Sequence, residues 1–128
     1  MNDGLTIKIP GCPHKDLSSN TRAHWRAKAR EVKQARYDAK MTTWGTLCGR
    51  VVDWDQWTYT VNVTIGWGKG RKCMDPTNLW SCVKPHIDGV ADAMEVDDKH
   101  FAVGSIAQVR AGKDEPGGYV EITLEVIA

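Results

Sequence analysis

Polar and apolar residues alternate along Leu5–Pro10 (L-T-I-K-I-P), which predicts a short β-strand stopped by proline. Gly11–Ser19 then reads as a loop. From Ser19 or Asn20, either of which can cap a helix, to about Thr43, good helix formers dominate. Trp25, Ala29, Val32 and Ala39 fall roughly on one face of that helix. Gly45–Gln56 reads as a connection. Trp57–Trp67 (W-T-Y-T-V-N-V-T-I-G-W) is dense in β-branched and aromatic residues and predicts a strand. Leu79, Val83, Ile87, Val90 and Met94 return to helical spacing, so 79–94 is predicted as a second helix, with Pro85 a turn in as a possible bend. Phe101–Val109 and Tyr119–Ile127 predict two more strands, and A-G-K-D-E-P-G-G between them predicts a hairpin turn. The order β-α-β-α-β-β implies an α+β fold: a single domain over residues 1–128, with two helices packed on one face of a mixed sheet.

Charge changes the picture more than composition does. The net charge is only +1, yet residues 1–72 hold 13 Lys/Arg against 6 Asp/Glu, and residues 73–128 hold 4 against 10. The first helix carries Arg22, Arg26, Lys28, Arg30, Lys33, Arg36 and Lys40 against Glu31 and Asp38. Such a face is either a solvated helix surface or a surface for a polyphosphate, since neutralising phosphates drives nucleic-acid affinity. No window approaches the roughly 18 apolar residues of a membrane span. The N-terminus lacks the basic start and apolar stretch of a secretion signal, so the expected compartment is the cytoplasm, with no membrane partner.

The chemistry concentrates in Lys72–Asp98. An acidic turn, Asp75-Pro76-Thr77-Asn78, precedes the second helix; Lys84 and Asp88 lie on it at i, i+4; the pair Asp97-Asp98 follows it. If the fold brings the carboxylates of Asp75 and Asp98 together, they form a hard-oxygen site suited to Mg²⁺. Lys84 would then offset charge on a phosphate, while Asp88 holds Lys84 or a metal-bound water. A plain surface ion pair is the alternative for Lys84 and Asp88. Asn78 either orients this motif or caps the helix. Extended backbone would point Asp97 away from Asp98, towards solvent. This residue set suggests metal-assisted hydrolysis of a phosphodiester.

Cys12, Cys48, Cys73 and Cys82 form no C-x-x-C pair and read as reduced thiols, although Cys12, His14, Cys82 and His86 offer ligands for a zinc-stabilised interaction domain. The four histidines are scattered and read as structural. The six tryptophans read mostly as core, with Trp25 or Trp67 as candidates for stacking on unpaired bases.

The motif D-P-T-N…K-P-H-I-D-G-V…V-D-D resembles that of the RusA-type Holliday junction resolvases, especially their shorter phage-borne relatives. The opening L-T-I-K-I-P, the stretch S-S-N-T-R-A-H-W and the closing G-G-Y-V-E-I-T-L-E-V are similar to that family's first strand, loop with first helix, and final strand. The resemblance implies a Mg²⁺-dependent homodimeric endonuclease, with Mn²⁺ as a substitute metal, that cuts four-way DNA junctions by paired nicks in a bacterial cell. It implies Asp75, Asp98 and Asp88 as metal-site residues, Lys84 as the catalytic lysine and Asn78 as part of the motif. Arg22, Arg26, Arg30, Lys33, Lys69, Arg71 and Lys72 are the candidates for DNA-backbone contacts. The chain departs from the family at Thr77, where a second carboxylate is usual, and carries about three extra residues between Asn78 and Lys84. These departures leave open a junction-binding module that does not cut. A nuclease for other branched or single-stranded DNA is a further alternative.

Overall fold

The computed structural model describes residues 4–17, 25–49 and 54–127. The expected helix cap at Ser19 or Asn20, and Arg22, lie outside the described residues. The elements are β1 (Leu5–Pro10), α1 (Trp25–Leu47), β2 (Thr58–Trp67), α2 (Leu79–Met94), β3 (Phe101–Arg110) and β4 (Tyr119–Ile127). This is the expected α+β order. The mixed sheet runs β1-β4-β2-β3: β4 is antiparallel to both β1 and β2, and β3 is parallel to β2.

Alternation along the strands sorts the two faces of the sheet. Leu5, Ile7 and Ile9 of β1, Tyr59 to Trp67 at every second position of β2, and Val120, Ile122 and Leu124 of β4 are buried. They form one core with Leu79, Val83, Ile87, Val90 and Met94 of α2, the stripe that periodicity predicts. Threonines, Asn62 and charged residues take the opposite face of the sheet.

Three expectations need correction. The segment 111–118 is not a hairpin between β3 and β4, because β2 lies between those strands. It passes over the end of β2 instead, where Ala111 N–H donates to Trp67 O (3.0 Å) and Lys69 N–H donates to Pro116 O (2.9 Å). Turn residues record that the chain reverses; they do not record which strand the returning chain pairs with. The second correction concerns α1, which runs on to Leu47 and buries Ala35, Ala39, Thr43 and Leu47, whereas Trp25 is 68% exposed. The contact with α2 lies towards the C-terminal half of α1, so Trp25 and Ala29 of the expected stripe are exposed, while Val32 packs on a second small cluster of Leu17, Ala35 and Cys82. The third is Trp67, which is fully buried and cannot stack on a base.

α1 and α2 approach closely at Gly89, where a Cβ would collide with the Arg36 carbonyl oxygen and lie 2.8 Å from Ala39 Cβ. Beside this contact the Arg36 guanidinium clasps both oxygens of Asp92 (2.5 and 2.8 Å). The basic and acidic halves of the chain therefore cancel in part, here and at Lys8–Glu115 (2.8 Å). No described helix is long and apolar enough to cross a membrane.

Candidate functional site

α2 positions the central lysine. It continues through Pro85, whose ring removes the donor that would have met the Ser81 carbonyl. It stops at Glu95, which is left-handed (φ 59°) and returns its N–H to the Ala91 and Asp92 carbonyls. Asp97 then caps a short 3₁₀ turn by accepting from Lys99 N–H (3.1 Å), and the turn carries Asp98 back alongside the helix. Asp97 is thus a cap rather than a ligand candidate.

Lys84 Nζ donates to Asp88 Oδ1 (2.5 Å) and to Asp98 Oδ2 (3.0 Å). The Lys84–Asp88 pair follows from helical spacing; the link to Asp98 comes from the fold. Lys84 and Asp98 are both about half exposed, while Asp88 is more sheltered. Partial burial pulls the Lys84 pKa down, but the two carboxylates outweigh it and the net shift is upward. The hydrogen bond from Lys84 is the main reason the Asp98 carboxyl sits below its ordinary range.

Asp75 stands apart from this cluster. Its Oδ1 accepts from the Thr77 backbone N–H and from the Thr77 hydroxyl, both at 3.0 Å, and these bonds lower its pKa. Thr77 therefore orients Asp75 within its own turn. Among the described residues, no group of three or more His, Cys, Asp or Glu side chains is placed to hold a metal ion. The expected shared site of Asp75, Asp88 and Asp98 is not assembled; Asp88 and Asp98 come together and Asp75 does not join them. The zinc alternative fares no better. Cys82 Sγ lies against Met74 Sδ (3.4 Å), and Cys12 Sγ accepts from Arg71 (3.5 Å). Asn78 is buried, and its side chain makes no cap hydrogen bond to α2.

Two features escaped sequence reasoning. Gln108 of β3 holds the acidic turn to the sheet: its Oε1 accepts from Met74 N–H (2.8 Å) and Trp67 Nε1–H (2.7 Å), and its Nε2 donates to Met74 O (3.0 Å). A polar residue at an inward position of a strand was the available signal. The second feature is an apolar recess of about 380 Å³ between α2 and β3, lined by Val61, Trp80, Ile87, Phe101 and Val103, with Lys84 and Asp98 on its wall. It exists because β3 is an edge strand that α2 covers only in part; Val103 is 73% exposed.

The phosphate-contact candidates divide. Arg26, Arg30 and Lys33 lie on the exposed surface of α1, and Lys69 and Lys72 are exposed in the loop after β2. Arg71 is committed to structure: it donates to Pro13 O (2.8 Å) and lies 5.2 Å from the Trp67 ring centroid.

No protein-family model matches the chain. It is similar to an uncharacterized protein of Xylella fastidiosa, with 34% identity over 94 residues that make up 70% of this chain and 58% of that protein. The chain thus spans less than two thirds of the length of that relative.

Proposed function

We propose that this protein is a Mg²⁺-dependent, structure-selective endodeoxyribonuclease acting on four-way DNA junctions, as its resemblance to the RusA-type resolvases implies. The observation that carries this reading is the convergence of Asp88 and Asp98, from separate segments, on the ammonium of Lys84. Mg²⁺ is commonly held by one or two carboxylates, with waters and substrate phosphates completing the shell. Asp88 and Asp98 suit that open mode by number and hard-oxygen chemistry, and they do not suit a closed protein cage. When bound, the metal supplies an activated water and neutralises developing charge.

Lys84 would leave the carboxylates for the incoming phosphate, where its ammonium offsets negative charge. Asp88, on rigid helix, and Asp98, on the capped turn, keep their places as it moves. Asp75 stays bound to Thr77 within its own turn and has no part in this metal site. Arg26, Arg30, Lys33, Lys69 and Lys72 would bind backbone phosphates without reading sequence. A junction needs two symmetric nicks, which a twofold homodimer would supply.

The test is cleavage of a synthetic four-way junction in Mg²⁺ or Mn²⁺. Asp98→Asn should lose at least about 100-fold in rate, roughly 2.7 kcal/mol of barrier, while junction binding in chelator persists. Unchanged cutting by Asp98→Asn overturns the site. Thr77 favours a second reading, a junction-binding module without turnover, because its hydroxyl occupies Asp75 where the family usually has a carboxylate. Tight junction binding with no cutting at any metal concentration, and cutting gained by Thr77→Asp, would establish it.

A further inference from the structure

The outer face of α1 combines cations and exposed rings in one row. Arg26, Arg30, Lys33, Tyr37, Lys40 and Trp44 recur at steps of three and four, so they lie along a single helical stripe about 27 Å long. Tyr37 and Trp44 are 57% and 47% exposed, and Met41 between them is 43% exposed. Lys40 Nζ rests 4.8 Å from the Trp44 ring centroid. The acidic residues of the helix, Glu31 and Asp38, fall outside the row. We infer that this stripe is a binding surface for single-stranded nucleic acid, with Tyr37 and Trp44 stacking on unpaired bases and the four cations tracking the phosphates.

Three physical points select this occupant. Four like charges in a row repel a second copy of themselves, so the stripe does not suit a symmetric contact between chains. The apolar face of α1 (Ala35, Ala39, Thr43, Leu47) is already packed inward, and the rings left outside alternate with cations along the stripe, a pattern that suits a charged strand better than the acyl region of a bilayer. A closed duplex covers its base faces with neighbouring pairs, whereas every unpaired base offers a face to an aromatic ring. Tyr37 and Trp44 are about 10 Å apart along the axis, too far for adjacent bases stacked at about 3.4 Å but within reach of a strand drawn out. Arg36, beside the stripe, binds Asp92 on α2, the helix that carries Lys84 and Asp88, so a strand lying here runs along the neighbour of that helix.

The test is fluorescence anisotropy with a labelled oligothymidylate and a duplex of equal length, in chelator so that cutting plays no part. The wild-type chain should bind the single strand more tightly than the duplex. The double variant Tyr37→Ala/Trp44→Ala should weaken single-strand binding at least about tenfold, and Tyr37→Phe/Trp44→Phe should restore most of it. Lys33→Ala/Lys40→Ala should flatten the slope of log affinity against log salt by about 1.4. All six positions are at or near the surface, so an unchanged melting temperature should accompany each loss. The proposal is overturned by wild-type affinity in the double alanine variant, by a preference for duplex, or by capture of anionic vesicles in place of the oligonucleotide. None of these results touches the Asp98→Asn cleavage assay, so this inference and the nuclease reading fail separately.

Discussion

Lys84 donates to two carboxylates, whereas the buried Nδ1 of His86, two residues on, has no hydrogen-bond partner. Helix geometry explains the contrast, because a step of two turns the side chain to the opposite side of α2. Lys84 faces the open edge of the molecule. His86 is packed beneath α1, with its Nδ1 buried and without a hydrogen-bond partner. Burial is the main cause that lowers its pKa to about 4; the Asp38 carboxylate and the Cys82 carbonyl oppose this only in part. Glu31, His14 and Arg71 line the same small cavity. The folded value lies below the unfolded value of about 6.5, so the unfolded chain binds the extra proton. Stability from this group is therefore complete above about pH 6.5 and falls as the pH drops towards 4, by at most on the order of 3 kcal/mol. Urea unfolding of His86→Gln should depend less on pH than wild type across that window. Parallel pH profiles for the two proteins would refute the assignment.

At the scale of elements, the α1–α2 contact and the two ends of α2 decide where the chemistry sits. Gly89 lets the helices touch, and Arg36–Asp92 locks their relative rotation. A methyl group at 89 gains about 1 kcal/mol of helix propensity. It also drives against a backbone carbonyl that cannot rotate away. Overpacking of this kind costs about 1–3 kcal/mol and occasionally more. Gly89→Ala should therefore lower the thermal midpoint, and a raised midpoint would show that the helices have room to separate. The acidic turn depends on Gln108 in a similar way, since one amide satisfies Met74 on both its N–H and its carbonyl while also accepting from Trp67. The strand bounds and the span of α2 were legible because burial repeats at two residues in Leu5–Pro10 and at three to four in Leu79–Met94. The β3–β4 connection was misread because Pro116, Gly117 and Gly118 serve equally well for a hairpin and for a passage over a neighbouring strand.

For the whole molecule, charge and symmetry are the levers. The basic half meets the acidic half across Arg36–Asp92, and the outer row of α1 gathers four further cations on one stripe. Paired nicking would require two copies, and the like charges of that row exclude it from a twofold interface. Sedimentation at micromolar concentration should accordingly give twice the chain mass of 14.2 kDa. A monomer that still cuts both arms of a junction would remove the dimer from the proposal.

The chain's own pattern determined the elements, the inward stripe of α2, the Lys84–Asp88 pair and the basic helix, because each depends on residues a few positions apart. Only the tertiary structure decided that Asp98 reaches Lys84 while Asp75 turns to Thr77, that Gln108 anchors the acidic turn, and that Tyr37 and Trp44 rather than Trp67 stay at the surface. Those outcomes depend on which face of α1 meets α2 and on which strands are neighbours. Both are settled by burial and pairing summed over the whole chain, to which no local run of residues gives access.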